Sequence, residues 1–284
     1  MKMSETATSE TAAPRPLMAG KRGLILGVAN EKSIAWGIAS AVAAHGAELA
    51  FTYQNDAIKR RVEPLAGSVG SDLIMPCDVA DAASLDAVVA AVAARWDRID
   101  FAVHAVAYSD KTELKGRYCD TSRANFLNTL DISCYSFTAL AQRLAPLMTA
   151  GGSLITLTYL GAERSTPNYN VMGVAKAALE ASVRYLAADL GVDGIRVNAI
   201  SAGPMRTLAG SAIADARYTF RYAENAAPLK RNASLEEVGR AGLYLLSGLS
   251  SGVTGEIMHV DGGFHSVAIP RPQTGVTVPS EHGV

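Results

Sequence analysis

Short runs rich in Val, Ile and Leu alternate along this chain with longer, Ala-rich stretches whose apolar residues recur at helical spacing. The runs at 22–28, 47–53, 72–79, 100–106, 153–159, 195–201 and 256–261 predict seven strands. They are near-continuously apolar rather than alternating, as in a parallel sheet covered on both faces. Helical periodicity fills the gaps at 33–46, 84–96, 122–148, 170–191 and 234–249, often ending in Gly. Strand and helix in alternation, joined by right-handed crossovers, predict a single Rossmann-like doubly wound α/β domain with a seven-stranded parallel sheet flanked by helices.

That domain is expected over 21–265. The first twenty residues, rich in Ser, Thr, Glu, Ala and Pro, read as a disordered tail, and 266–284 as a C-terminal tail. The segment 204–232 is longer than an ordinary strand-to-helix connection and reads as a lid or substrate wall.

Composition narrows the function. A net charge of −1 without a basic run lacks the broad electrostatic footprint of a nucleic-acid binder, although a small acidic carrier would still find a local basic patch. No apolar stretch is long enough to span a bilayer despite 49% hydrophobic residues, which predicts a soluble protein. Cys77, Cys119 and Cys134 are odd in number and scattered, fitting a reducing cytosol. The five histidines show no ligand spacing, so no metal is expected.

Candidate chemistry sits at the carboxyl ends of the predicted strands. After the first comes "GVANEKSIAWG", in which Gly27 would let a pyrophosphate approach, Ser33 would cap the next helix or bind phosphate, and Gly37 would permit close helix packing. The spacing is not G-x-G-x-x-G, and turn and cap requirements alone would also account for these residues. Gln54 ends the second strand, where dinucleotide-binding folds often place an acid for the adenosine ribose; Gln bonds a hydroxyl without repelling a phosphate and leaves the choice of cofactor open. Asp78 and Val79 end the third, where a carboxylate and an apolar wall would meet adenine, or where Asp78 would cap the helix beginning near Asp81.

After the fifth strand, "YLGAERSTPNYNVMGVAK" places Tyr169 seven residues before Lys176. On one helix face they would lie roughly 10 Å apart along the axis, a separation that suits a shared ligand. A nearby ammonium would favour the phenolate and make the phenol a better donor. Such a pair polarises a carbonyl and stabilises an enolate. The plain alternative is a packed Tyr and a solvated Lys.

Taken together, "GVANEKSIAWG", "AELAFTYQND", "CDV", "YLGAERSTPNYNVMGVAKAALEASVRYLA", "RVNAISAGPMRTLA" and "GEIMHVDGGF" resemble the enoyl-[acyl-carrier-protein] reductases of bacterial fatty-acid synthesis, a divergent branch of the short-chain dehydrogenase/reductase superfamily. The likeness runs from about Lys21 to about His265. It implies an NADH-dependent, cytoplasmic homotetramer, with NADPH the lesser alternative, that reduces the trans-2 double bond of an enoyl thioester on acyl carrier protein. It implies that Tyr169 donates to the thioester carbonyl, that Lys176 holds the nicotinamide ribose and that Tyr159 is a second active-site tyrosine. It places Gly27, Ser33, Ile34, Gln54, Asp78, Val79 and Val106 against the dinucleotide, Met205, Arg206, Thr207, Leu208 and Ala209 in a closing loop, and Ser109 against the acyl substrate.

Two departures carry information. Alcohol dehydrogenases of the superfamily have Ser thirteen residues before the tyrosine, where this chain has Thr156; the tyrosine at 159 suits a carbonyl two carbons from the hydride acceptor. Ala107 stands where many relatives have Gly beside the cofactor and would narrow the pocket. The competing readings are a carbonyl or alcohol oxidoreductase using the same pair, and a non-catalytic NAD(H)-binding regulator.

Overall fold

The computed structural model describes residues 16–208, 210 and 215–269. Seven parallel strands form one sheet: β1 (Arg22–Leu26), β2 (Glu48–Tyr53), β3 (Leu73–Pro76), β4 (Phe101–His104), β5 (Gly152–Thr158), β6 (Ile195–Ala202) and β7 (Ile257–Val260). Their order is β3-β2-β1-β4-β5-β6-β7, so the direction of winding reverses between β1 and β4. Ligands of open α/β sheets bind outside the carboxyl ends of the strands at this reversal.

Each predicted strand is present, but β1, β3 and β4 stop two or three residues early. The residues beyond their ends, among them Val28, Asp78 and Val106, therefore belong to the loops that build the site.

Helices α1 (Ile34–Ala44), α3 (Ala82–Arg95), α6 (Asn170–Leu190) and α8 (Leu235–Leu246) lie where periodicity predicts them. The predicted helix at 122–148 is divided into α4 (Arg123–Leu130) and α5 (Ser136–Leu144) by a π-helical turn at Asp131–Tyr135. Among the described residues, two α-helices lie outside the predicted set. In α2 (Asp56–Ser68) the apolar stripe is thin, with only Val62 and Ala66 buried, and Pro64 signals a break that the helix absorbs by forgoing one hydrogen bond. In α7 (Ala216–Ala226), inside 204–232, only Ala223 and Ala226 are buried.

Two apolar layers sandwich the sheet. One packs Leu24, Leu26, Leu154 and Val197 against α3, α5 and α6; the other packs Ile25, Phe51, Val103 and Ile200 against α1 and α8. Helices α1 and α8 touch backbone to backbone: a Cβ on Gly37 would lie 2.7 Å from Leu235 Cγ, and one on Gly239 would lie 2.4 Å from the Gly37 carbonyl oxygen. The packing role expected of Gly37 is thus met by a helix partner.

Core packing also reaches residues before Lys21. Met18 is fully buried in the second layer and its N–H donates to the His45 carbonyl at 2.9 Å. The tail expected before it lies, up to residue 15, outside the described residues, as do 270–284 of the C-terminal tail.

Candidate active site

The nucleotide side is built by the loop after β1. Gly27 has φ +97°, and a Cβ there would fall 2.1 Å from the Ala105 carbonyl oxygen, so the neighbouring strand end demands glycine whatever the ligand. Ser33 occupies the N-cap position of α1, but its hydroxyl turns back to accept from the N–H groups of Ala29 (2.9 Å) and Asn30 (3.1 Å). It shapes the turn and leaves the first-turn amides of α1 without a side-chain cap, at an end where the helix dipole favours an anion. Beside this N-terminus, Lys32, Met205, Arg206, Thr207, Phe220 and Leu235 line a cavity of about 280 Å³. An uncapped helix end and two cations around one cavity are a donor set that fits a pyrophosphate.

Gln54 and Asp78 follow adjacent strand ends, Cys77 N–H donating to the Tyr53 carbonyl at 2.8 Å, and both are exposed. Asp78 does not cap the next helix. Asp81 does, accepting from Ala83 N–H at 2.9 Å, while Asp78 makes a local turn with Ala80 N–H at 3.0 Å. Val79 and Val106 are half-buried against the first core layer, and Ile34 opens α1 against the second. In the closing loop, Thr207 Oγ1 accepts from Gly210 N–H at 2.9 Å and the Arg206 guanidinium lies 4.7 Å from the centre of the Phe220 ring. Leu208 is about half exposed; Ala209 lies outside the described residues.

On the catalytic side, Tyr169 is the N-cap of α6 rather than a residue within it. Its ring is 8% exposed, packed with Leu114, Phe126, Leu130 and Met172, and stands edge-on to Tyr159 with centroids 5.2 Å apart. Backbone closeness sets this position: a Cβ on Gly161 would lie 2.4 Å from Tyr169 Cδ1. Two turns into α6, Lys176 is buried and donates to the Leu157 carbonyl at 2.8 Å. An ammonium carries three donors, so this leaves two for a ligand.

The electrostatics correct one expectation. The ammonium was expected to favour the Tyr169 phenolate. Burial instead pushes the Tyr169 phenol well above its ordinary range, with Tyr159 and Glu180 adding to the rise. Burial pulls Lys176 down to about 8, partly offset by Cys134 and Glu180. At neutral pH the site therefore holds a neutral phenol, able to donate, and a lysine still mostly charged. Tyr159, half-buried, is also raised, mainly by burial.

Three residues around the Tyr–Lys pair lie outside the set read from the sequence. Glu180 is buried one turn beyond Lys176, accepts from Thr158 Oγ1 at 2.7 Å, and is raised chiefly by burial. Its signal was present: the buried positions of α6 are 171, 172, 175, 176, 179, 180, 183 and 187, so Lys176 and Glu180 both fall on the core stripe. His104, 1% exposed, is driven down to about 3 by burial, with Lys176 contributing, and so is neutral; it lies 2.8 Å from Ser136 Oγ. Leu114 comes from a loop without periodicity and could not be placed by pattern.

Ser109 and Thr156 differ from their simplest readings. Ser109 Oγ is buried among Asn125 and Thr129, whose Oγ1 donates to it at 2.9 Å, so the hydroxyl braces the loop. Thr156, fully buried in β5, donates to the His104 carbonyl at 3.0 Å and is not presented to a ligand.

An open parallel sheet with a glycine turn and helix N-terminus at its switch point, and a buried Tyr and Lys beyond its carboxyl edge, defines a dinucleotide-dependent oxidoreductase of the doubly wound class. The profile of the family described as Enoyl-(Acyl carrier protein) reductase matches residues 27–265. Enoyl-[acyl-carrier-protein] reductase [NADH] 1 of Rhizobium meliloti is 64% identical over 253 residues, 89% of this chain and 93% of that protein. The structure of the Anaplasma phagocytophilum reductase in complex with NAD superposes with TM-score 0.87 at 59% identity, covering 90% of this chain and 98% of that one. That of the Bacillus cereus reductase with NADP+ and indole naphthyridinone also gives 0.87, at 47% identity over 89% and 99%. The chain belongs to the enoyl-[acyl-carrier-protein] reductase family.

Proposed function

We propose that this protein reduces the trans-2 double bond of an enoyl thioester carried on acyl carrier protein, with NADH as reductant, during fatty-acid elongation. The observation that carries the reading is a buried, neutral Tyr169 capping the helix that carries a buried, charged Lys176, beside an apolar wall of Leu114, Phe126 and Met172.

NADH, when bound, supplies the hydride for the β-carbon. Gly27, Ser33 and Ile34 would hold its pyrophosphate side, Gln54 its adenosine ribose, Asp78 and Val79 its adenine, and Val106 and Lys176 its nicotinamide riboside, with 205–209 closing over it. Tyr169 donates to the thioester carbonyl oxygen and stabilises the negative charge that develops there as the β-carbon is reduced. Its raised pKa keeps the proton on the phenol while it does so. Lys176 binds ribose hydroxyls and contributes positive charge to a site from which water is largely excluded. Tyr159 fixes the Tyr169 ring by edge-on packing and lines the substrate pocket; Ser109 contributes through its backbone and the loop it braces.

Thr156 distinguishes this from a carbonyl reductase. The hydroxyl that would assist at a reacting carbonyl is buried and committed to the His104 backbone, whereas a thioester carbonyl remote from the hydride acceptor needs only the tyrosines. A purely regulatory NAD(H)-binding role gives no reason to bury Lys176 and Glu180 one turn apart beside a tyrosine.

Self-association as a homotetramer is supported by an apolar face on α4 and the π turn, where Leu127 and Tyr135 are more than half exposed around a concavity of about 640 Å³. The outer edge of β7, last in the strand order among the described residues and with Ile257 and Met258 half-buried, is a second such surface. Cytoplasmic residence fits three free thiols and, among the described residues, no helix long and apolar enough to cross a membrane.

The test is NADH consumption by the purified protein with trans-2-enoyl thioesters of acyl carrier protein, set against ketones of matched size. Turnover of the thioesters alone is expected; turnover of ketones alone, or NADH binding without turnover, would overturn the reading.

A further inference from the structure

The turn that carries Tyr159 is held from outside by the C-terminal end of the domain. Residues 160–162 form a single helical turn, and Glu163 and Arg164 close it with N–H bonds to the Leu160 carbonyl, both at 3.0 Å. Glu163 Oε1 lies 2.7 Å from His259 Nε2 on edge strand β7. Arg164 donates to the carbonyls of His265 (2.6 Å) and Val267 (3.3 Å). The His259 and His265 rings stack with centroids 4.0 Å apart. His265 Nδ1 in turn lies 3.0 and 3.1 Å from the two oxygens of Asp261, a carboxylate 5% exposed that also accepts from the N–H groups of Gly263 and His265.

Carboxylates only accept, so each ring nitrogen facing one must carry the proton. The result is a continuous chain, Asp261 to His265 to His259 to Glu163, ending on the residue that closes the Tyr159 turn. On its inner side that turn has almost no slack, because Gly161 lies against Tyr169 and a Cβ on Gly173 would meet the Gly161 carbonyl oxygen at 2.7 Å. Movement of the outer anchor would therefore be passed to both tyrosines. The anchor also reaches the site electrostatically: Asp261 acts on Tyr159, and His259 on Glu180.

We propose that His259 and His265, held between Glu163 and Asp261 and strapped by Arg164, form a tether that positions the Tyr159 turn, and through it Tyr169, for reduction. The proposal rests on the reductase reading and adds positioning residues to it. None of the five touches the reacting atoms; each acts on kcat through the two tyrosines.

Glu163→Ala and Glu163→Gln separate this from plain packing. The Gln amide keeps an acceptor oxygen facing the His259 Nε2–H and leaves the stacked rings and their bond to Asp261 in place. With enoyl thioester and NADH, Glu163→Ala is expected to lower kcat about tenfold, as small misplacements of reacting groups do, with NADH affinity by fluorescence titration unchanged within about twofold. Glu163→Gln is expected to recover most of that loss, and Arg164→Ala, on the exposed side of the tether, to show the same selective fall in kcat. Should Glu163→Ala fail to give a cooperative melt, Arg164→Ala and His265→Ala decide the matter. Unchanged kcat in the alanine variants, or a Gln variant as impaired as Ala, would overturn the tether. Absence of turnover in the unsubstituted protein would instead overturn the reductase reading beneath it.

Discussion

Helices α6 and α7 carry similar residues to opposite ends. Helix α6, with Tyr169 at its cap, buries Lys176 and Glu180 on its core stripe. Helix α7 pairs Arg217 with Arg221 and Tyr218 with Tyr222, each four residues apart, but buries only Ala223 and Ala226. Its two tyrosines stack on each other in the open, centroids 6.1 Å apart, and Tyr222 leans edge-on against Phe264 at 6.0 Å. Tyrosine and cation at helical spacing are thus not chemistry in themselves. Desolvation on α6 keeps a phenol neutral and brings an amine down to about 8, whereas water around α7 leaves its side chains free to make contacts at a surface.

The contrast can be broken in graded steps. Tyr169→Phe removes one donor to a developing oxyanion and should lower kcat by about 10²–10³-fold, with NADH affinity held within about twofold by titration. Gly161→Ala leaves every functional group in place but drives a methyl into the Tyr169 ring; a loss of about 10–10²-fold in kcat is expected from displacement alone, read by steady-state kinetics alongside a melting curve. Glu180→Gln removes a charge that raises Lys176, so Lys176 loses its proton at lower pH and the alkaline fall of kcat/KM moves toward neutrality, measured as a pH–rate profile. On α7, Tyr222→Ala should raise KM by only about two- to fivefold, in line with loss of one aromatic contact, and leave kcat and the pH profile as they were.

Much of this was legible in the pattern of residues. Continuous apolar runs specify a two-faced parallel sheet, and the Tyr–Lys pair stands out because it follows a strand of such a sheet. Boundaries were less legible where loops leave the sheet, since Val28 and Val106 are apolar for pocket and core alike. Helices α2 and α7 escaped because each buries only two residues and so has no stripe to read. The interruption of 122–148 by a π turn has no periodic signature, because Ser133 and Ser136 are set by bonds to Tyr108 and His104 far along the chain. The charge states escaped for a deeper reason. Spacing puts an ammonium and a phenol on one helix face, but only the fold shows that burial sets the charge state of the phenol. Glu180 is the exception that could have been read, an acid at a core phase one turn from Lys176.

The most direct test is the pH dependence of kcat/KM for the unsubstituted protein with an enoyl thioester at saturating NADH. A neutral phenol working beside a charged lysine predicts a plateau through neutral pH and a fall centred near 8 as Lys176 loses its proton. Activity that climbs from pH 8 toward about 10, the range in which an unperturbed phenol ionises, would make the phenolate the working form and contradict the account.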